Sequence, residues 1–108
     1  MLDATPLPLS SESTGLSRKR RHQQKKRQMV REIKEARSCV DCGYDGHFAA
    51  KQFDHLPGQI KMFEVSQVER ASKQRILDEI DKCEVVCANC HAIRTYERAK
   101  LQREAEDA

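Results

Sequence analysis

Two Cys-x-x-Cys pairs, Cys39-Val40-Asp41-Cys42 and Cys87-Ala88-Asn89-Cys90, constrain this 108-residue chain more than any other feature. A chain this short buries only a thin core and commonly completes its stability with a metal or with disulfides. Hydrophobic residues make up 38% of it, charged residues 34%, and there is no Trp, so help of that kind is expected. The cysteines number five, and an odd count argues against a simple disulfide framework. A Cys-x-x-Cys turn presents two thiolates to one ion, and zinc takes four such ligands in a tetrahedron. Cys39, Cys42, Cys87 and Cys90 are therefore expected to share one structural Zn²⁺. The competing reading, a pair of redox dithiols, lacks the βαβ context in which such thiols occur. Cys83 is the odd cysteine and reads as a small buried residue, with a role as alternative ligand the lesser reading.

The net charge of +3 hides a sharp asymmetry. Residues 17–37 carry ten Lys or Arg against only Glu32 and Glu35, a local +8, while the segments on either side are net acidic. Such a block suggests a polyanionic partner, most simply double-stranded DNA. Arg18, Lys19, Arg20, Arg21, Lys25, Lys26 and Arg27 are the expected phosphate contacts, adding salt-sensitive, sequence-independent affinity. The bland alternative is a solvated charged helix. Residues 1–16 are rich in Ser, Thr and Pro and read as a disordered tail without the pattern of a secretory signal. No stretch approaches the roughly 20 apolar residues that cross a membrane. No membrane partner is expected, and a cytoplasmic, reducing setting follows, in which paired cysteines more often hold metal.

Three units are expected: the tail 1–16, a basic helical arm 17–37, and a domain 38–108. From Arg18 to Arg37 there is no Gly or Pro, and Met29, Val30, Ile33 and Ala36 give a narrow apolar stripe. Ser17 is a candidate cap for this helix, and the all-polar half up to Arg27 is expected to order only on DNA. Phe48 to His55 reads as a short strand ending at the turn Leu56-Pro57-Gly58. Ser66, with Glu69 three residues on, reads as a capping box opening a helix from Gln67 to about Asp81. Glu84 to Val86 reads as a second strand, and Ala88 to Glu106 as a final helix.

The residues outside the cysteine pairs carry the chemistry. Asp54 and His55 close the first strand, and a period of two turns their side chains to opposite faces. One can then bind a metal while the other faces a substrate. His91 follows Cys90 at a helix start, and Arg94 and Thr95 share its side of the helix. An oxygen ligand and an imidazole on one ion, a free His to take a proton and a nearby Arg suit phosphodiester hydrolysis. Turn chemistry at Asp54-His55 and an outer, non-ligating role for His91 are the bland alternatives.

The arrangement CVDC, then FDHLP, then CEVVCANCHAIRT resembles the HNH endonucleases of the ββα-metal type, especially the small zinc-stabilised ones of phages and bacteria. The resemblance covers roughly Ser38 to Ala99. It implies an α+β chain: a small ββα-metal fold with a two-CxxC zinc knuckle, preceded here by the basic helix. It also implies a metal-dependent DNA endonuclease in a bacterial or phage-infected cell, with His55 as general base. Asp54 and His91 would then be ligands of a catalytic Mg²⁺ or another divalent ion, and Arg94 a phosphate contact. His22 and His47 match nothing in the motif; His22 is taken with the arm and His47 as a surface loop residue. Two departures stand out. The family's middle Asn, which orients the base, has no counterpart in Asp81-Lys82-Cys83-Glu84. Either another group, such as a backbone carbonyl, holds His55, or Asn89 has a different local role. Thr95 stands where some members place a further ligand. The alternative from another class is a non-catalytic zinc-knuckle module that binds DNA or protein, which leaves Asp54, His55 and His91 no shared purpose.

Overall fold

The computed structural model describes residues 17–108. The expected tail 1–16 lies outside them. Three helices and a two-stranded antiparallel sheet make a small α+β domain: α1 (Ser17–Glu35), β1 (Lys51–His55), α2 (Lys73–Ile80), β2 (Cys83–Cys87) and α3 (Ala88–Asp107). Short 3-10 turns, Phe48–Ala50 and Val68–Arg70, precede β1 and α2. None of the described helices is long and apolar enough to cross a membrane.

The register runs from Lys51 opposite Cys87 to His55 opposite Cys83. The cysteine end of the hairpin and the His55 end are thus about 13 Å apart along the strands. The main core lies on one face of this hairpin, where Val30, Val65, Val68, Ala71, Ile76, Ile80 and Cys83 pack with partly buried Met29, Ile33, Phe53 and Phe63. Cys83 is buried there as expected, its thiol set against the Glu79 carbonyl at 3.4 Å. A smaller cluster of Val86 with Cys39, Cys87 and Cys90 sits at the cysteine end.

Helix α1 is continuous from Ser17 through its polar half to Glu35. Two buried lysines fasten α1 to the domain. Lys26, 4% exposed, donates to the carbonyls of Val68 (3.0 Å) and Ala71 (2.8 Å). Lys51, 1% exposed, donates to the carbonyls of Lys34 and Arg37 at the end of α1 and to Asp45. A buried ammonium is tolerated only when it is hydrogen-bonded, and Lys26 has two acceptors and Lys51 three.

The helix expected from Gln67 is broken. Gln67 caps only the Val68–Arg70 turn and makes no side-chain cap bond. Ala71 is then extended (φ −148°, ψ 158°), which turns its carbonyl to Lys26. Ser72, not Ser66, caps α2, its hydroxyl accepting from the Arg75 N–H. The expected strand from Phe48 likewise begins only at Lys51, after the 3-10 turn that His47 caps by accepting the Ala49 N–H at Nδ1.

Candidate metal centre and active site

The first cysteine pair lies on a turn after α1. Gly43 closes it with φ +82°, a conformation costly for any residue with a Cβ, and its N–H donates to the Cys39 carbonyl. The Val40 N–H donates to the Val85 carbonyl, which docks this turn on β2. Cys87 ends β2 and caps α3, its sulfur accepting the Cys90 N–H at 3.4 Å. As a result the four sulfurs of Cys39, Cys42, Cys87 and Cys90 lie within 4.8 Å of one another, unbridged, and are placed to hold one metal ion such as zinc. Burial disfavours the Cys39 thiolate, but the N–H groups of Cys87, Cys42 and Asp41 outweigh it and bring the thiol down to about 6. Cys90 is pushed up, chiefly by sharing a proton with the Cys87 sulfur. Sulfurs this close cannot all ionise unless a cation offsets their charge.

The knuckle is wired to α3 through Asp41, which sits inside the first pair. Its carboxylate accepts from Arg94 Nε and Nη2, both at 2.7 Å. Arg94 also donates to Asp54 (2.7 Å) and Glu84 (2.9 Å). One turn on, Arg98 grips Asp54 with two bonds of 2.8 Å. Asp54 is 3% exposed. Burial would raise its pKa, but Arg98 and Arg94 outweigh that and hold it below the usual carboxylate range. The residue expected to meet phosphate, Arg94, is thus spent on three carboxylates.

His91 and Asp54 do meet. His91 Nε2 lies 3.4 Å from Asp54 Oδ1, and its Nδ1 is 2.5 Å from Gln52 Oε1. An amide oxygen only accepts, so Nδ1 donates to Gln52, and Nε2 is the nitrogen that faces Asp54. A carboxylate and an imidazole together suit a borderline divalent ion more than a hard one. In this geometry both Asp54 oxygens are held by guanidinium groups, and an ion here would have to displace at least one of them.

His55 faces away from that pair. Its Nε2 is 2.8 Å from Glu79 Oε2 on α2, across the hairpin from α3. The same carboxyl accepts the Met62 N–H (3.0 Å) and the Lys82 ammonium (3.0 Å) and is 2% exposed. Burial alone would raise Glu79, but those three donors outweigh it and hold it at about 2. The other group that holds His55 is therefore a carboxylate rather than a backbone carbonyl, and it leaves Nδ1 as the nitrogen that can take a proton.

Of the arm residues, Arg18, Lys19, Arg20, Arg21, Lys25 and Arg27 are exposed. Lys26 is not, and its ammonium is consumed by two carbonyls, so it is a staple of the fold and no phosphate contact. Gln52, Glu79 and Arg98 are the functional candidates that sequence reasoning passed over. Glu79 had a signal, being a carboxylate on the same helical face as Ile76 and Ile80. Gln52 had one in its strand position, two residues before Asp54 and on the same face. Comparison with family models, with curated proteins and with solved structures finds no match to this chain.

Proposed function

We propose that this protein is a metal-dependent DNA endonuclease of the HNH kind, with His55 as its general base. The observation that carries the reading is the antiparallel pair of β1 and β2, joined through α2, whose second strand passes directly into α3, the helix whose first turn sets His91 against Asp54. In this reading His55 takes the proton of the attacking water at Nδ1, while Glu79 grips the ring through Nε2. A buried carboxylate behind an imidazole fixes its tautomer and stabilises the imidazolium that forms. Asp54 and His91 would hold the divalent ion, which when bound supplies positive charge where the phosphate becomes more negative. Gln52 supports this by holding the Nδ1 side of His91 and so aiming Nε2. Arg94 anchors Asp41 and Asp54, and it meets phosphate only by letting go of one of its carboxylates. A Zn²⁺ held by Cys39, Cys42, Cys87 and Cys90 would fix the start of α3 and with it the position of His91.

The second reading, a non-catalytic zinc-knuckle module that binds DNA or protein, is favoured by one observation: Asp54 is already neutralised by two guanidinium groups. Manganese titration of the zinc-loaded chain, followed by electron paramagnetic resonance, separates the two. A weak Mn²⁺ site that Asp54→Asn and His91→Ala each abolish supports the nuclease. Zinc in the knuckle with no Mn²⁺ site supports the module.

A further inference from the structure

Three hollows lie end to end along α1. The first, about 710 Å³, begins at Arg21 and Lys25 and ends at Arg27, Arg31 and Phe48. The second, about 160 Å³, shares those last three residues and continues to Val30, Lys34 and Ser66. The third, about 300 Å³, shares Val30, Lys34 and Ser66 and ends at Gln52 and His91. Shared walls at both junctions make one trough from the basic arm to the imidazole that stands against Asp54.

The trough has a regular positive wall. Arg27, Arg31 and Lys34 stand at i, i+4 and i+7 on one side of α1, so they rise along the trough in steps of about 6 Å and about 4.5 Å. The Arg31 guanidinium carbon lies over the Phe48 ring, 4.3 Å from its centroid, and His47 stacks on the same ring at 4.7 Å. The Arg31 pair with Glu35 is half exposed on both sides, and such pairs contribute little, so a phosphate can replace it. Lys34 lies 5.5 Å above the Phe53 ring, and burial lowers its pKa. Among the described lining residues Glu64 is the one carboxylate, and Lys61 pairs with it. A row of cations over aromatic rings, with a single carboxylate among them, complements a polyanionic strand with apolar sugars.

We infer that this trough is the path of the DNA backbone, with Arg27, Arg31 and Lys34 gripping phosphates and delivering the strand to His91. The inference rests on the DNA reading and extends it, since Arg31 and Lys34 lie outside the basic run and Phe48 outside the arm altogether. It gives the arm a direction: the strand enters at Arg21 and leads toward the Asp54–His91 pair.

The test uses the zinc-loaded full chain carrying His55→Ala, without added divalent ion, and a fluorescent duplex oligonucleotide read by anisotropy over a salt series. Arg31→Gln and Lys34→Gln are each expected to weaken binding severalfold and to reduce the salt slope by roughly one. Arg103→Gln, exposed near the end of α3, is the control and is expected to change neither. A photo-crosslinking residue at Ser66 is expected to capture the duplex, and one at Gln74 on α2 is not. Binding by Arg31→Gln and Lys34→Gln with wild-type affinity and slope, or capture at Gln74 in place of Ser66, overturns the inference. DNA that binds through the trough but is never cut by the wild-type chain defeats the nuclease reading and leaves the trough standing.

Discussion

Glu79 shows how far one side chain can be read and where reading stops. Its place on the Ile76–Ile80 face marks it as a buried carboxylate, but its partner His55 lies 24 residues earlier and becomes a neighbour only when β1 crosses α2. Glu79→Gln is expected to lower DNA cutting while leaving zinc content unchanged, because the amide no longer favours the imidazolium. The sign of its pH effect follows from its lowered pKa. A carboxylate at about 2 when folded, against 4.5 ordinarily, adds stability that is present above 4.5 and drains away as pH falls toward 2. The wild type is therefore expected to lose stability over that window more steeply than Glu79→Gln, as urea midpoints at successive pH values would record. Equal slopes in the two proteins would show that folding does not lower the pKa of Glu79. Lys26 makes the complementary case. Inside a run of cations it reads as one more phosphate contact, although it lies on the Met29–Val30–Ile33 side of the helix. Lys26→Met leaves the Ala71 carbonyl unpaired and the Val68 carbonyl with only its long bond from the Ala71 N–H, and is expected to cost about 1–3 kcal/mol of stability. Lys25→Gln is expected to weaken DNA binding and leave the melting temperature unchanged; a reversal of the two effects would contradict the assignment.

At the scale of elements, β2 and α3 were legible to within a residue or so, because Cys83–Cys87 has a strand's composition and Ala88–Asp107 has no breaker. The break before α2 was not. Nothing local in Ser66 to Arg70 forbids helix; a lysine from α1 decides it by taking the carbonyls that a continued helix would have used. Ser72→Ala is accordingly expected to cost about 1 kcal/mol, and Ser66→Ala close to nothing, in chemical denaturation. The knuckle was legible from cysteine spacing alone, whereas its link to α3 through Asp41 and Arg94 needed the fold. Removing the metal is expected to release the start of α3 along with the Cys39–Cys42 turn, since the ion contributes folding energy directly. Far-ultraviolet circular dichroism should record lost helicity and a lower melting temperature on chelation, restored by zinc. An unchanged melt after complete zinc removal would mean that the core around Ile76 and Val85 holds the hairpin unaided.

For the molecule as a whole, the acidic and basic segments of the sequence resolve into a division of labour. Helix α1 presents its exposed cations along a trough; its buried Lys26 fixes it to the Val68–Ala71 segment, and buried Lys51 of β1 fixes its end to the sheet. The hairpin carries His55 on one face and, with the first turn of α3, the Asp54–His91 pair on the other. The sequence argument anticipated the opposite facing of Asp54 and His55 from the period of two. It did not anticipate that Arg94 and Arg98 would close over Asp54, because salt bridges spanning 40 residues leave no local trace. The central claim is that this scaffold cuts DNA. Its most direct test is the conversion of supercoiled plasmid to nicked circles by the zinc-loaded protein with Mg²⁺, Mn²⁺ or Ni²⁺. The account predicts cutting that depends on the added ion and vanishes in His55→Ala at unchanged zinc content and melting temperature. Plasmid left intact by the wild type with all three ions, or cut equally well by His55→Ala, would contradict it.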